Sequence, residues 1–154
     1  MIVEDFMTKD VVTVDVNATV KTAVNVMNHY EIGCLIVVKD GGAVGILTER
    51  DLLKRILSKS RLPEDALVSE VMSKPLVVVS PHMELEEATR IMLRRNIKKL
   101  PVVKDDRLVG IVTLTDITRT ARVEPQVMKI VKELSNSGWL PSKHMKRVID
   151  CYIS

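Results

Sequence analysis

Sliding this sequence along itself by 65 positions brings its two halves into register without a gap. Met7 falls on Met72, Lys9 on Lys74, Val14 on Val79, Ala23 on Ala88 and Met27 on Met92. Val37-Val38-Lys39-Asp40 falls on Val102-Val103-Lys104-Asp105, and Val44-Gly45-Ile46 on Val109-Gly110-Ile111. A register that holds through apolar runs, turns and polar positions alike marks a duplication. Whatever one copy folds into, the other must fold into as well. A unit of about 60 residues buries too little surface to be comfortable alone. The copies, 1–60 and 66–121, are therefore expected to pack as a pseudo-twofold pair with equivalent surfaces facing a shared cleft.

Within each copy the apolar pattern changes period. Val11–Val14 and Leu76–Val79 are short β-branched runs that predict strands. Val20, Ala23, Val24 and Met27 then recur at i, i+3, i+4 and i+7, as do Leu85, Ala88 and Met92 in part, which predicts a helix. Two further strands are expected at Cys34–Val38 and Ala43–Leu47, joined by Lys-Asp-Gly-Gly. Their counterparts are Lys99–Val103 and Leu108–Val112, joined by Lys-Asp-Asp-Arg. A second helix should begin near Glu49 and near Leu114. Each copy thus reads β-α-β-β-α, giving a mixed α/β (α+β) protein with a helical tail over 122–154.

Each hairpin ends in Gly, two apolar residues, Thr, two variable residues and Asp: Gly45 to Asp51 and Gly110 to Asp116. One reading is a helix cap, in which the Thr hydroxyl accepts from a first-turn N–H and the acid reaches back, contributing on the order of 1 kcal/mol. The other is a ligand site. A carboxylate can accept from the two hydroxyls of a ribose, while Thr48 or Thr113 and the helix start suit a phosphate. Before the second hairpin stands Ile97-Lys98-Lys99-Leu100-Pro101. Adjacent lysines entering a strand point to opposite faces, so one of them can face a cleft. The aligned residues of the first copy, Gly33 and Cys34, are small and neutral.

The tandem β-α-β-β-α units, the Gly-x-x-Thr-x-x-Asp ends and Ile-Lys-Lys-Leu-Pro-Val-Val resemble cystathionine-β-synthase (CBS) domains, paired as in a Bateman module. The resemblance spans residues 1 to about 120. It implies binding of an adenosine ligand (AMP, ADP, ATP or S-adenosylmethionine) in clefts between the units. Asp51 and Asp116 would hold ribose hydroxyls, with Thr48 and Thr113 near phosphate and Lys98 and Lys99 contacting it. Adenine would lie among Lys9, Asp10 and Val11, or Lys74, Pro75 and Leu76, with Ile32 and Ile97. The family arrangement crosses over, so that the Asp116 site borrows Ile32, Gly33 and Cys34, and the Asp51 site the matching residues of the second copy. Arg50 is a further phosphate candidate. Because Lys98 has no basic counterpart in the first copy, the Asp116 site is the better candidate for a phosphorylated ligand. The resemblance also implies a homodimer of stacked modules and a regulated protein partner.

No pattern in the chain points to catalysis. His29, His82 and His144 are scattered, there is no zinc or nucleophile motif, and no Walker loop. The expectation is a regulatory protein without enzymatic activity or catalytic cofactor. Apolar residues make up 46% and charged residues 28%, a balance suited to a folded, soluble chain. Twenty acidic residues offset 23 basic ones for a net charge of +3, too little for a strong polyanion face. Cys34 and Cys151 form no close pair and suit reduced thiols in a cytoplasmic protein. No apolar run approaches the ~20 residues that cross a membrane. In the tail, Val127, Ile130, Val131 and Leu134 predict one helix. Ser142–Tyr152 predicts a second, basic and amphipathic; both are expected to pack on the module or across a dimer, the alternative being a docking element for a regulated partner with Trp139 as its anchor. Two other functions are compatible with these features. One is a dimerisation scaffold whose Thr-x-x-Asp elements are only caps. The other is a nucleic-acid regulator using the tail, disfavoured by aromatics of only 3%.

Overall fold

The computed structural model describes residues 1–121 and, beyond them, Pro125, Met128, Lys129, Lys132 and Glu133, all five helical. The remaining tail positions, including those of the second expected helix and Trp139, lie outside the described residues. No helix among the described residues is long and apolar enough to cross a membrane. Two compact units account for the chain. One comprises residues 10–77 with 105–108, the other residues 1–9, 78–104 and 109 onward. These units are not cut where the sequence repeat is cut. The leading segment of each copy belongs to the compact unit built on the other copy's hairpin.

In the unit of residues 10–77, β1 (Thr13–Asp15) lies parallel to β2 (Cys34–Lys39), which pairs antiparallel with β3 (Gly42–Thr48) in the order β1-β2-β3. Between β1 and β2 runs α1 (Val20–Tyr30), opened by Thr19, whose hydroxyl accepts from the Thr22 N–H at 3.1 Å. The helix buries Val20, Ala23 and Met27 against the sheet, as its spacing predicts, and closes at Glu31 in the left-handed region. After β3, α2 (Glu49–Leu52) runs into a π-helical turn, Leu53–Leu57. A short helix, α3 (Val68–Val71), closes the unit and buries Val68 and Val71 in a core with Leu35, Val37 and Leu47. Burying each such side chain is worth about 1.5–3 kcal/mol.

The second unit repeats this plan. A 3₁₀ turn, Val3–Asp5, takes the place of α3 and is held by Val3 N–H to the Met83 carbonyl at 2.9 Å and Glu4 N–H to that of Pro81 at 2.9 Å. α4 (Leu85–Arg95) buries Leu85, Ala88, Thr89, Met92 and Leu93 and ends at Asn96, the left-handed counterpart of Glu31. β4 (Lys99–Lys104) and β5 (Arg107–Thr113) form a two-stranded sheet, followed by α5 (Leu114–Ala121). Both hairpin turns use positive φ, Asp40 with Gly41 and Asp105 with Asp106.

The strand expected over Leu76–Val79 does not form; only a single parallel bridge, Val79 to Val102, remains of it. The reason lies in Pro101. In the first unit the Ile36 N–H donates to the Val12 carbonyl at 3.3 Å, extending the parallel ladder beyond β1. Pro101 occupies the position of Ile36 and has no N–H, so the equivalent bond to Val77 is impossible. Its carbonyl still accepts from the Val79 N–H at 3.0 Å.

Candidate functional site

Thr48 is the last residue of β3 and Asp51 sits in the first turn of α2, so hairpin and helix place them face to face. The cap anticipated from sequence forms: the Asp51 N–H donates to Thr48 Oγ1 at 3.2 Å, and Asp51 Oδ2 accepts from the Thr48 N–H at 2.9 Å and its hydroxyl at 3.1 Å. The other oxygen, Oδ1, accepts from the Ser73 hydroxyl at 2.7 Å and lies 3.6 Å from the Arg55 guanidinium. Asp51 is only 6% exposed. Arg55 in turn donates to the carbonyls of Val71 and Met72, each at 2.7 Å. Ser73 is bound to the hairpin through its backbone, donating to the Ile46 carbonyl at 2.8 Å and accepting from its N–H at 3.1 Å. A Cβ on Gly45 would stand 2.7 Å from Met72 Sδ and 3.1 Å from the Ser73 carbonyl, so any side chain here would press on the methionine and on the bridge.

The second unit reproduces the backbone of this seam. Thr8 exchanges N–H···O bonds with Ile111 at 2.8 and 2.9 Å, and a Cβ on Gly110 would meet Met7 Sδ at 2.5 Å and the Thr8 carbonyl at 3.0 Å. Thr113 Oγ1 donates to Asp116 Oδ2 at 2.5 Å and accepts from the Asp116 N–H at 3.1 Å. Asp116 is half-buried where Asp51 is buried. The position matching Arg55 is Thr120, and that matching Ser73 is Thr8.

The remaining candidates divide between the units. Cys34, half-buried, lies opposite Thr48 across the hairpin, and Gly33 accepts from the Glu49 N–H at 3.1 Å. Ile32 packs on the core of the same unit, while Arg50, Lys74 and Pro75 are exposed and Val11 and Leu76 half-buried. In the unit that carries Asp116, Lys98 and Lys99 are half-buried at the entry to β4, and the Lys98 carbonyl accepts from the Leu114 N–H at 2.8 Å. Ile97 is half-buried, and Lys9, next to Thr8, is exposed, as is Asp10 of the other unit. Sequence reasoning missed Ser73, Arg55, Met7 and Met72. Two signals pointed to them: hydroxyls at 8 and 73 in repeat register, and an arginine four residues beyond Asp51.

The CBS domain family matches residues 3–58 and again 68–122, so that both copies fall inside it. The chain belongs to the CBS domain family. The CBS domain-containing protein YhcV of Bacillus subtilis is 41% identical over 115 residues, 75% of this chain and 81% of that protein. Inosine-5′-monophosphate dehydrogenase of Methanocaldococcus jannaschii is 39% identical over 128 residues, 82% of this chain but 24% of the enzyme. This CBS pair therefore corresponds to about a quarter of that enzyme. Among solved structures, the CBS domain pair of protein MJ0100 in complex with 5′-methylthioadenosine and S-adenosyl-L-methionine is 28% identical with a TM-score of 0.72, covering 80% of this chain and 97% of that one.

Proposed function

We propose that this CBS pair is a regulatory sensor of adenosine ligands, AMP, ADP, ATP or S-adenosylmethionine, and catalyses no reaction itself. The reading is carried by one conjunction. The chain places Thr-x-x-Asp at the end of each hairpin, and a pair of the same family, 28% identical, is solved with two adenosyl compounds. Asp116 would accept from ribose hydroxyls, with Thr113, Lys98 and Lys99 toward phosphate. Occupancy becomes a signal only if the ligand prefers one arrangement of the protein, which a second copy or a regulated partner then reads. A thermal-shift panel of AMP, ADP, ATP, S-adenosylmethionine and NAD tests it, because a ligand at a hundred times its Kd stabilises the fold by about 2.7 kcal/mol. No shift with any of them would leave a scaffold. That second reading has support of its own in the first copy, where both oxygens of Asp51 already have protein partners.

A further inference from the structure

α1 and α4 are the same helix of the two copies, yet they turn different chemistry to solvent. On α4, Glu87, Ile91 and Arg94 form one stripe, spaced by four and then three residues. Glu87 and Arg94 are exposed and Ile91 is half-buried. Beside the stripe lies a hollow of about 430 Å³, lined by these three with Glu84, Glu86 and Arg90. All six belong to α4 or to its N-cap, so no described residue of another element walls the hollow. The order of charge, acid first and base last, suits the helix dipole. Two of the acids are already matched. Glu86 pairs with Arg90 one turn on, and Glu84 lies 3.5 Å from the Met1 amino group. Glu87 and Arg94, by contrast, form no ion pair with any described residue. Two turns of helix set them about 10 Å apart, out of each other's reach. The matching stripe of α1 is Thr22, Val26 and His29, with neither carboxylate nor guanidinium.

We infer that a second copy of this chain docks on this face, α4 against α4 and antiparallel. An isologous contact needs a surface that is its own complement. The stripe meets that condition only when reversed. A twofold axis beside Ile91 sets Glu87 of each chain against Arg94 of the other and brings the two Ile91 side chains together. A parallel pairing would set like charges on each other. A second copy's α1, of equal length at 11 residues, offers α4 neither of the charges it lacks. Exposed ion pairs of this kind fix orientation and register more than they add affinity. Ile91 supplies the apolar centre, inside a charged rim. The docking requires no ligand and is independent of the sensor reading above.

Sedimentation equilibrium of the whole chain at low salt tests this pairing. The unaltered chain should form dimers. Glu87→Arg and Arg94→Glu each set like charges together at both contacts, and each should weaken the dimer about tenfold or more. An equimolar mixture of these two variants should recover dimers, because each carries the complement of the other. The double variant, Glu87→Arg with Arg94→Glu, should recover them as well. Thr22→Arg, the matching change on α1, should leave association unaltered. Residues 22, 87 and 94 are all exposed, and circular dichroism checks that each variant keeps its fold. Added salt should narrow the gap between the unaltered chain and the single variants. A monomer at every concentration, a dimer indifferent to both single changes, or a mixture that associates no better than its components overturns the pairing. So does a dimer that Thr22→Arg weakens as much as Glu87→Arg does, since α1 would then share the contact.

Discussion

Asp51 and Asp116 are the same residue of a duplicated motif, and the fold employs them differently. Both close a cap with the preceding threonine. Asp51 goes further: through Ser73 and Arg55 it joins a set of bonds that grips residues 71–73, and its carboxylate is almost out of reach of water. The sequence gives Asp116 no arginine four residues on, and it stays half-buried. Duplication supplies two copies of one local device, and divergence at the positions of Arg55 and Ser73 accompanies the deeper burial of Asp51 while Asp116 stays half-buried.

The strongest way to break this contrast is to remove each carboxylate in turn. Asp51→Ala deletes a buried acceptor and strands Arg55 and Ser73. Breaking a buried pair costs about 3–5 kcal/mol, and since the Arg55 side chain is 43% exposed, water recovers part of that, leaving roughly 2–3 kcal/mol. Asp116→Ala, at a half-buried carboxylate, should cost less than Asp51→Ala while weakening AMP about tenfold. Urea denaturation and calorimetry separate the two effects. Equal destabilisation by both variants would remove the distinction drawn here.

A second test acts on what the copies share. Gly45→Ala and Gly110→Ala each push a Cβ into a methionine sulfur and a backbone carbonyl. The sulfur can swing away but the carbonyls are fixed by the bridges to Ile46 and Ile111. Each variant should lose about 1–3 kcal/mol by thermal denaturation. Gly110→Ala should be the more damaging, because its contacts are closer by 0.2 Å to the sulfur, 2.5 against 2.7 Å, and 0.1 Å to the carbonyl, 3.0 against 3.1 Å.

These seams also mark where the sequence could be read and where it could not. The helices and hairpins of both copies are local: Val20, Ala23 and Met27 announce their face by spacing, and Thr48 and Asp51 their cap by separation. The seams depend on residues far apart in the chain. Ser73 meets Asp51 across 22 positions, and Thr8 meets Ile111 across 103, so no periodicity encodes either. The missing strand at Leu76–Val79 shows the converse. Its β-branched residues fit a strand, but the lost ladder bond is decided by Pro101 on another segment.

Arg55 offers a finer probe of the bonds around Asp51. Arg55→Ala removes two hydrogen bonds to carbonyls and a partly exposed ion pair, for an expected loss of about 1–2 kcal/mol. Arg55→Lys should recover less than half of it, because an ammonium lacks the planar, pre-organised donors of the guanidinium. Amide hydrogen exchange should rise around Val71–Ser73 more than elsewhere in either variant. Uniform change across the unit would mean that Arg55 does not hold that segment.

The smallest effect compares the two leading turns. Asp5 accepts from the Ile2 N–H at 3.2 Å, and its counterpart Glu70 accepts from the Leu67 N–H at 2.9 Å. Glu70 also meets a cation, the Arg61 guanidinium at 2.9 Å. The Leu67 hydrogen bond first, and then Arg61, hold the Glu70 carboxyl below its ordinary pKa of 4.5. A lowered folded value means that ionised Glu70 favours the folded state at pH above 4.5, and that this contribution disappears as pH falls through the lower folded value. Glu70→Gln should therefore slightly flatten the acid side of the stability profile and leave the difference between pH 6 and pH 8 unchanged. Both groups are exposed, so the effect should shrink further as salt is raised toward 1 M, where the screening length falls to about 3 Å. A salt-insensitive change of the same size would assign the effect to the Leu67 bond alone and remove Arg61 from the account.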